Sequence, residues 1–186
     1  MDAPSRAGFE RAVTGRRWFG LRAGASNWLW IAIGVMLLDQ WTKYLVTGHL
    51  AEFEQIVLLP MLEIMRLHNE GAAFSMLSAA GGWQRWFFTG LGLAVSIGIL
   101  LWLRRMPAKG QNLAAAGLSL ILGGALGNVI DRALWGHVID FIRVHYAQYY
   151  FPAFNIADSA ITVGAALLIL DNLLEYDRAR AARKRR

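Results

Sequence analysis

Four long apolar stretches restrict what this chain can fold into. They cover residues 28–46, 83–103, 113–130 and 153–174. A helix of about 20 apolar residues crosses a hydrocarbon core about 30 Å thick, and each stretch is close to that length. The composition agrees, because 17% of the residues are charged whereas a soluble domain has about 25%. The sequence therefore predicts a mainly α-helical membrane protein with four transmembrane helices.

The placement of the basic residues predicts the orientation of these helices. Fourteen of the 19 lysines and arginines lie before residue 28, in the connection after the second stretch, or at the C-terminus. Basic residues next to membrane spans favour the cytoplasmic side, and an even number of spans places both termini on one side. We therefore expect both termini in the cytoplasm and segments 47–82 and 131–152 outside. This placement also argues against a nucleic-acid-binding face.

The positions of the apolar stretches and of the basic residues divide the chain into three parts. Residues 1–27 are mostly polar or basic and are expected to form a cytoplasmic tail, because a secretory signal would place its apolar core closer to the N-terminus. Residues 28–175 are expected to form the membrane domain, and residues 176–186 a second basic tail. Apolar residues roughly alternate in 61–68 and 138–144, which is typical of half-buried strands. A small outward-facing β-containing segment is therefore predicted.

Two features of the spans indicate helix packing. Gly123 and Gly127 in the third stretch have the spacing that allows two helices to approach closely. Asp39 and Lys43 in the first stretch lie four residues apart and can form an ion pair on one helix face. Charges in a membrane span are costly and are candidates for function. A pair that only orients the helix remains the alternative.

Three aspartates are expected near the outer membrane surface. The pattern Asn-x-x-Asp occurs at the end of the third stretch, as Asn128 and Asp131, and at the start of the fourth, as Asn155 and Asp158. These two stretches run in opposite directions, so both patterns lie at the same depth. Asp140 lies between them within an apolar sequence. The three carboxylates are thus predicted to converge.

Carboxylates arranged in this way have several possible roles. Two that share a proton can act as acid and base on water, as in aspartic proteases. A metal site is the rival, but the histidines lack a ligand spacing such as H-E-x-x-H, so no metal is expected. The chain has no cysteine, which excludes a thiol nucleophile, and it has no G-x-S-x-G motif. A structural role in ion pairs fits Asp131 best, since Arg132 follows it.

Five sequence blocks resemble the lipoprotein signal peptidase family, also called signal peptidase II, from about residue 28 to residue 174. In chain order they are Asp39-Gln40-x-x-Lys43, Asn69-Glu70-Gly71-Ala72-Ala73-Phe74-Ser75, Gly123-Gly124-Ala125-x-Gly127-Asn128-x-x-Asp131-Arg132, Val138-Ile139-Asp140-Phe141 and Phe151-Pro152-Ala153-Phe154-Asn155-x-Ala157-Asp158. Each block alone is weak evidence, but all five occur in the family's order. The two basic tails match no motif of the family.

The resemblance implies an aspartyl endopeptidase of the bacterial inner membrane whose active site faces outward. Its substrates would be prolipoproteins that carry diacylglycerol on a cysteine, cut on the N-terminal side of that cysteine. The family's catalytic pair corresponds to Asp140 and Asp158. Residues that bind substrate or support the pair would be Asp39, Lys43, Asn69, Gly71, Phe74, Asn128, Asp131, Arg132 and Asn155.

We further expect no cofactor, contact with membrane lipids, no nucleic-acid partner and a monomer. The alternative is a small ion or proton-coupled transporter that uses its buried carboxylates as a relay. A relay predicts polar groups throughout the depth of the membrane. The middles of the second and third stretches contain no charged residue, which disfavours it.

Overall fold

The structure, a computed structural model, describes residues 23–71, 82–107 and 110–184, with the backbone alone for residues 23–27. Each apolar stretch forms one helix. The helices are α1 (Ala23–His49), α2 (Trp83–Arg105), α3 (Asn112–Trp135) and α4 (Ile156–Lys184). The strands are β1 (Gln55–Leu59), β2 (Leu62–Asn69), β3 (Val138–Tyr146) and β4 (Tyr149–Tyr150).

Three of these helices are long and apolar enough to cross a membrane. They are α2, α3 and α4, with mean hydropathies of 2.0, 1.9 and 1.5. Helix α1 is as long, but Asp39, Gln40 and Lys43 reduce the hydropathy of its second half. Length and composition therefore support three spans in the described ranges, one fewer than the four predicted.

Helix α3 lies at the centre of the bundle and packs against the other three helices. In the most apolar segment of α3, 56% of the residues are buried, compared with 22% in α2 and 17% in α4. A Cβ atom added to Gly123 would lie 2.6 Å from the carbonyl oxygen of Ala32 in α1. One added to Gly127 would lie 2.6 Å from Asp39 Oδ2. The predicted close packing at these two glycines is confirmed, and the partner helix is α1.

The outer faces of α1, α2 and α4 expose large apolar side chains. Examples are Trp30, Leu37, Trp41, Trp102, Ile169 and Leu173. Exposed apolar area on this scale would be unfavourable in water, at about 25 cal/mol per Å². This distribution is typical of a protein whose solvent is lipid.

The four strands form one antiparallel sheet in the order β1-β2-β3-β4. Strands β2 and β3 confirm the two predicted from alternation. Strand β1 was missed because its residues are all exposed and mostly apolar, without alternation, and β4 because it has two residues. In the register of β2 with β3, Asn69 lies opposite Val138 and Leu67 opposite Asp140. The sheet therefore brings the end of β2 beside Asp140.

The helices differ from the predicted spans at their ends. Helix α3 continues to Trp135, so Asp131 and Arg132 are helical, whereas the prediction placed them in an outer connection. Arg85 of α2 supports this longer end, because its Nε donates to the carbonyl oxygen of Arg132 at 2.8 Å and its Nη2 to that of Ala133 at 2.8 Å. Helix α4 continues through the predicted C-terminal tail to Lys184.

Candidate active site

Asp140 is held from two sides in strand β3. The side chain of Asn69, at the end of β2, donates from Nδ2 to Asp140 Oδ2 at 2.9 Å. Asn155 donates from Nδ2 to Asp140 Oδ1 at 2.8 Å. Asp140 is 3% exposed, so both carboxyl oxygens are fixed by amide donors in a largely dry setting.

Asp158 lies in the first turn of α4, where the positive end of the helix dipole favours a carboxylate. Asn155 precedes this helix and caps it, because its Oδ1 accepts from the backbone N–H of Asp158 at 2.9 Å. The side chain of Asn128 donates from Nδ2 to Asp158 Oδ1 at 2.8 Å. Asn155 thus contacts both aspartates, one through its carbonyl oxygen and the other through its amide nitrogen.

The surroundings of Asp140 favour its protonated form. Burial, and next the negative charge of Asp158, raise the pKa of Asp140 from 3.8 to about 7. The hydrogen bond from Asn69 lowers this pKa in part, as do the charge of Lys43 and the hydrogen bond from Asn155. Below about pH 7 Asp140 therefore keeps its proton beside the carboxyl group of Asp158. Acid and base can then act together on a water molecule.

The two aspartates line a cleft of about 750 Å³. Polar groups on its wall belong to Asn69, Gly71, Asn128 and Arg132, and apolar ones to Phe53, Leu67, Phe151, Phe154 and Val163. The cleft thus combines a pair of acids with backbone-binding donors and an apolar wall. A peptide with an apolar attachment fits this chemistry.

Behind the cleft lies a buried ion network built around Lys43. Its Nζ is 2.7 Å from Asp39 Oδ2 and 2.8 Å from Asp131 Oδ2, and it donates to Asn128 Oδ1 at 3.2 Å. The two carboxylates and the ammonium are at most 2% exposed. The predicted pair of Asp39 and Lys43 is confirmed. Asp131 lies beside the pair, since it accepts from the backbone next to Asp140, but it faces Lys43 and does not line the cleft.

The predicted structural ion pair of Asp131 is confirmed, but its partner is Lys43 and not Arg132. Consecutive residues of a helix point in different directions, so Arg132 faces the cleft instead. It donates from Nη2 to the carbonyl oxygen of Gly71 at 3.2 Å, and its Cζ is 5.3 Å from the ring centre of Phe88. Its buried Nε has no hydrogen-bond partner in the described part of the chain.

The ion network positions the backbone that carries the two acids. Asp131 Oδ2 accepts from the N–H of Ile139, next to Asp140, at 3.2 Å. Asp39 Oδ1 accepts from the N–H of Ala157, next to Asp158, at 2.9 Å.

Gln40 joins the two carboxylates of this network. Its Nε2 donates to Asp131 Oδ1 at 2.8 Å and lies 3.4 Å from Asp39 Oδ2. Sequence reasoning did not select Gln40 as a site residue, although it lies within the first of the five blocks.

The segment after β2 completes the described site. The N–H of Gly71 donates to Asn69 Oδ1 at 3.1 Å, which orients the amide of Asn69 toward Asp140. Phe74, expected to contact substrate, lies outside the described residues. Among residues 23–71, 82–107 and 110–184 no group of three His, Asp or Glu side chains could hold a metal ion.

The profile of one peptidase family, described as Signal peptidase (SPase) II, matches residues 31–174. The chain belongs to the signal peptidase II family. Every site residue described above lies within the matched range. The family is one of aspartic peptidases in membranes, and the chain is an enzyme of this class.

Relatives and solved structures agree with this membership. The chain is 52% identical over 156 residues to a lipoprotein signal peptidase of Acinetobacter baylyi, covering 83% of this chain and 87% of that protein. It is 50% identical over 152 residues to one of Pseudomonas aeruginosa, covering 81% and 89%. A solved bacterial membrane enzyme superposes with a TM-score of 0.73 at 33% identity, covering 82% of this chain and 91% of that one. These similarities do not favour the transporter alternative.

Proposed function

We propose that this signal peptidase II removes signal peptides from bacterial prolipoproteins, with Asp140 and Asp158 as its catalytic pair. The observation that carries the proposal is the pair itself. Two carboxyl groups line one cleft, amides hold them, and the pKa of Asp140 is raised to about 7. Relatives about half identical to this chain are named lipoprotein signal peptidases.

In the proposed reaction the ionised member of the pair removes a proton from water, which attacks the scissile carbonyl carbon. The protonated member donates to the carbonyl oxygen, and a proton then passes to the leaving amine. One proton shared by the pair is sufficient, so no cofactor or metal takes part. The two carboxyl groups titrate together, so the proton is a property of the pair and is not assigned to one residue.

The amide side chains around the pair keep both acids in place during this reaction. Asn128 and Asn155 hold the carboxylates, and the guanidinium of Arg132 lines the same cleft. Asn69 and Gly71 lie where they can bind the substrate backbone, and Phe74 belongs to the same sequence block. Asp39, Lys43 and Asp131 act from behind the cleft as positioning residues.

The substrate we propose carries diacylglycerol on the cysteine that follows the cut. The apolar wall of the cleft, formed by residues such as Phe151, Phe154 and Val163, suits acyl chains. Each buried methylene of such a chain contributes about 0.8 kcal/mol. Lipidated substrate should therefore be cut far faster than the same peptide without the lipid.

The proposal includes four membrane crossings in the bacterial inner membrane, both termini in the cytoplasm and the cleft facing outward. Helix α1 can cross although it contains charges, since Asp39 and Lys43 pair inside the bundle. The expected parts are residues 1–27 and 176–186 as cytoplasmic tails and 28–175 as a monomeric membrane domain in contact with lipids. Reporter fusions after Lys109 and Arg186 should indicate the cytoplasm, and fusions within residues 52–70 the outside.

The decisive experiment follows a prolipoprotein on a gel, with and without its diacylglyceryl group, and locates the cut by mass spectrometry. We expect cleavage next to the lipidated cysteine, the same with and without a chelator, and little cleavage of the unlipidated form. Equal cleavage of both forms, or loss of activity in EDTA that zinc restores, would overturn the proposal. Full-length Asp140→Asn protein serves as the inactive control.

A further inference from the structure

A second cavity, of about 360 Å³, lies behind the ion network, and we call it the interface cavity. It is lined by the outer end of α1, by β2, by the end of α3 and by His137. Lys43 and Asp131 form part of its wall, whereas neither lines the catalytic cleft. Its volume falls in the range of about 300–1,000 Å³ that is usual for small-molecule sites. Neither the proposed reaction nor the proposed substrate uses it.

Arg66 supplies this cavity with a positive charge. Its Nη1 donates to the carbonyl oxygens of Thr47 and Leu50 at the end of α1, at 3.4 and 3.1 Å. Its Nε donates to His68 Nε2 at 3.3 Å. These acceptors are uncharged, and within the described ranges no carboxylate forms a salt bridge with Arg66. Its Nη2 has no hydrogen-bond partner there and is free to bind an anion.

The other charges on the wall are already used within the protein. The Lys43 ammonium has three acceptors within 3.2 Å, on Asp39, Asp131 and Asn128. Both oxygens of Asp131 accept hydrogen bonds, one from Gln40 and the other shared by Lys43 and the backbone. Arg66 is therefore the cation that a ligand in this cavity would contact.

Two stacked histidines complete the polar side of the interface cavity. The rings of His68 and His137 are 4.0 Å apart at an interplanar angle of 27°. His68 accepts from Arg66 at Nε2, so its proton is on Nδ1, 3.0 Å from Glu52 Oε1. Burial, and next His68, lower the pKa of His137, so at neutral pH it is uncharged with one N–H donor. No side chain or backbone group of the described chain accepts that proton.

The mouth of the cavity is aromatic and apolar. Tyr44 is 74% exposed, and Trp135 and Leu134 are each 64% exposed. Tyrosine and tryptophan at the end of a membrane span are typical of the zone between headgroups and acyl chains. A ligand held here would have an anionic part near Arg66 and an apolar part near this mouth.

We propose that the interface cavity binds the phosphate group of a glycerophospholipid from the outer leaflet, with Arg66 and His137 as donors. Tyr44, Leu134 and Trp135 would contact the glycerol and the first methylenes of its acyl chains. The inference rests on the proposed membrane orientation and is independent of peptide cleavage. It also connects lipid to the active site, because Arg66 and His68 belong to the strand that ends at Asn69, which holds Asp140.

The test measures binding to full-length protein in a nonionic detergent by native mass spectrometry. The probes are short-chain phosphatidylglycerol, diacylglycerol of the same chain length, and inorganic phosphate. We expect one phosphatidylglycerol to bind in preference to the other two probes. Arg66→Gln should weaken its binding at least about tenfold, the loss expected for one charge-assisted hydrogen bond. Arg104→Gln, the same change at an exposed residue of α2, is the matched control.

A second variant keeps the test valid if Arg66→Gln does not fold. His137→Phe preserves a ring stacked on His68 but removes the donor, and it should weaken phosphatidylglycerol binding several-fold. Equal effects of Arg66→Gln and Arg104→Gln, or no effect of His137→Phe, would overturn the site. Inorganic phosphate bound as tightly as the lipid would overturn the lipid assignment. Neither result depends on cleavage, so both are distinguishable from failure of the proposed function.

Discussion

The catalytic pair and the buried ion network contain the same acidic residue type and meet at one side chain, that of Asn128. Its Nδ2 donates to Asp158 in the cleft, and its Oδ1 accepts from Lys43 in the network. On the cleft side the nearest partners of the carboxylates are amides and a second acid. On the network side an ammonium lies between two carboxylates.

This difference explains why only one group of aspartates is suited to proton transfer. An acid beside another acid is costly to ionise and so retains a proton, whereas an adjacent cation favours the charged form. Lys43 also fixes the direction of the Asn128 amide, because only the carbonyl end can accept from an ammonium. The network thereby determines that the donor end of Asn128 faces Asp158.

The largest effect should come from removing either acid of the pair. Asp140→Asn or Asp158→Asn keeps the size of the side chain and much of its hydrogen bonding but removes the exchangeable proton. We expect turnover to fall about 10³-fold or more, since general acid or base groups each contribute about 10²–10⁴-fold. The measurement is single-turnover cleavage of a lipidated prolipoprotein, with equal amounts of folded enzyme confirmed by size-exclusion chromatography.

Asp131 belongs to the network, so its substitution should affect turnover less than substitution of Asp140. If folded Asp140→Asn enzyme retains near-normal turnover while folded Asp131→Asn enzyme is inert, the division into pair and network is wrong.

The next largest effect concerns the cation of the network. Lys43→Met leaves two buried carboxylates without a positive charge and should reduce the free energy of unfolding by about 3–5 kcal/mol. Chemical denaturation in detergent measures this loss. Lys184→Met, at the exposed end of α4, removes the same charge and should change stability little. An equal effect of both variants would contradict the network as the source of the stability.

A smaller loss of stability is expected for Asp131→Asn. One carboxylate then remains for Lys43, so the charge stays paired, and the loss is the one or two polar contacts of Asp131, about 1–3 kcal/mol. Turnover per folded molecule should persist at a reduced level, because the backbone of Ile139 loses its acceptor beside Asp140. Thermal unfolding and single-turnover cleavage, measured on the same sample, separate the two effects.

The smallest effect is a shift in pH dependence. Because the pKa of Asp140 is about 7, cleavage should decrease as the pH rises through that value and the pair loses its shared proton. Asn69 donates to the charged form and so lowers this pKa. Asn69→Ala should therefore move the alkaline limb of kcat/KM to higher pH, and a shift to lower pH would contradict the assigned hydrogen bond.

Stability gives an independent measure of the same group. The pKa of Asp140 is higher in the folded protein than the ordinary value of 3.8, so the unfolded state releases this proton first. The corresponding stability is fully present below about pH 4 and is lost as the pH rises to about 7. Asp140→Asn should remove this part of the pH dependence of the thermal midpoint.

Much of the site could be predicted from local patterns. Local patterns indicated Asp131, Asp140 and Asp158 as candidates, and the resemblance to the family selected Asp140 and Asp158 as the pair. Strands β2 and β3 followed from their alternation. These features depend on residues close together in the chain, and a sequence presents them directly.

Other features depend on contacts between distant residues. The partner of Asp131 is Lys43 of another helix and not the adjacent Arg132, because neighbouring helical residues point apart. The charges of Asp131 and Arg132 also suggested that the span ends there, yet α3 continues to Trp135. Arg85 binds the carbonyl oxygen of Arg132, and Lys43 of the network pairs with Asp131. Arg66 and His137, from two separate segments, form a cavity that no local pattern indicates.

Asn155 makes the arrangement of the two acids depend on completed assembly. Its cap of the first turn of α4 is local and forms with that helix, whereas its hydrogen bond to Asp140 joins α4 to strand β3. One amide therefore holds both acids only when the last helix has docked. We expect a chain without a docked α4 to be inactive, so its proteolytic activity would begin only after membrane insertion is complete.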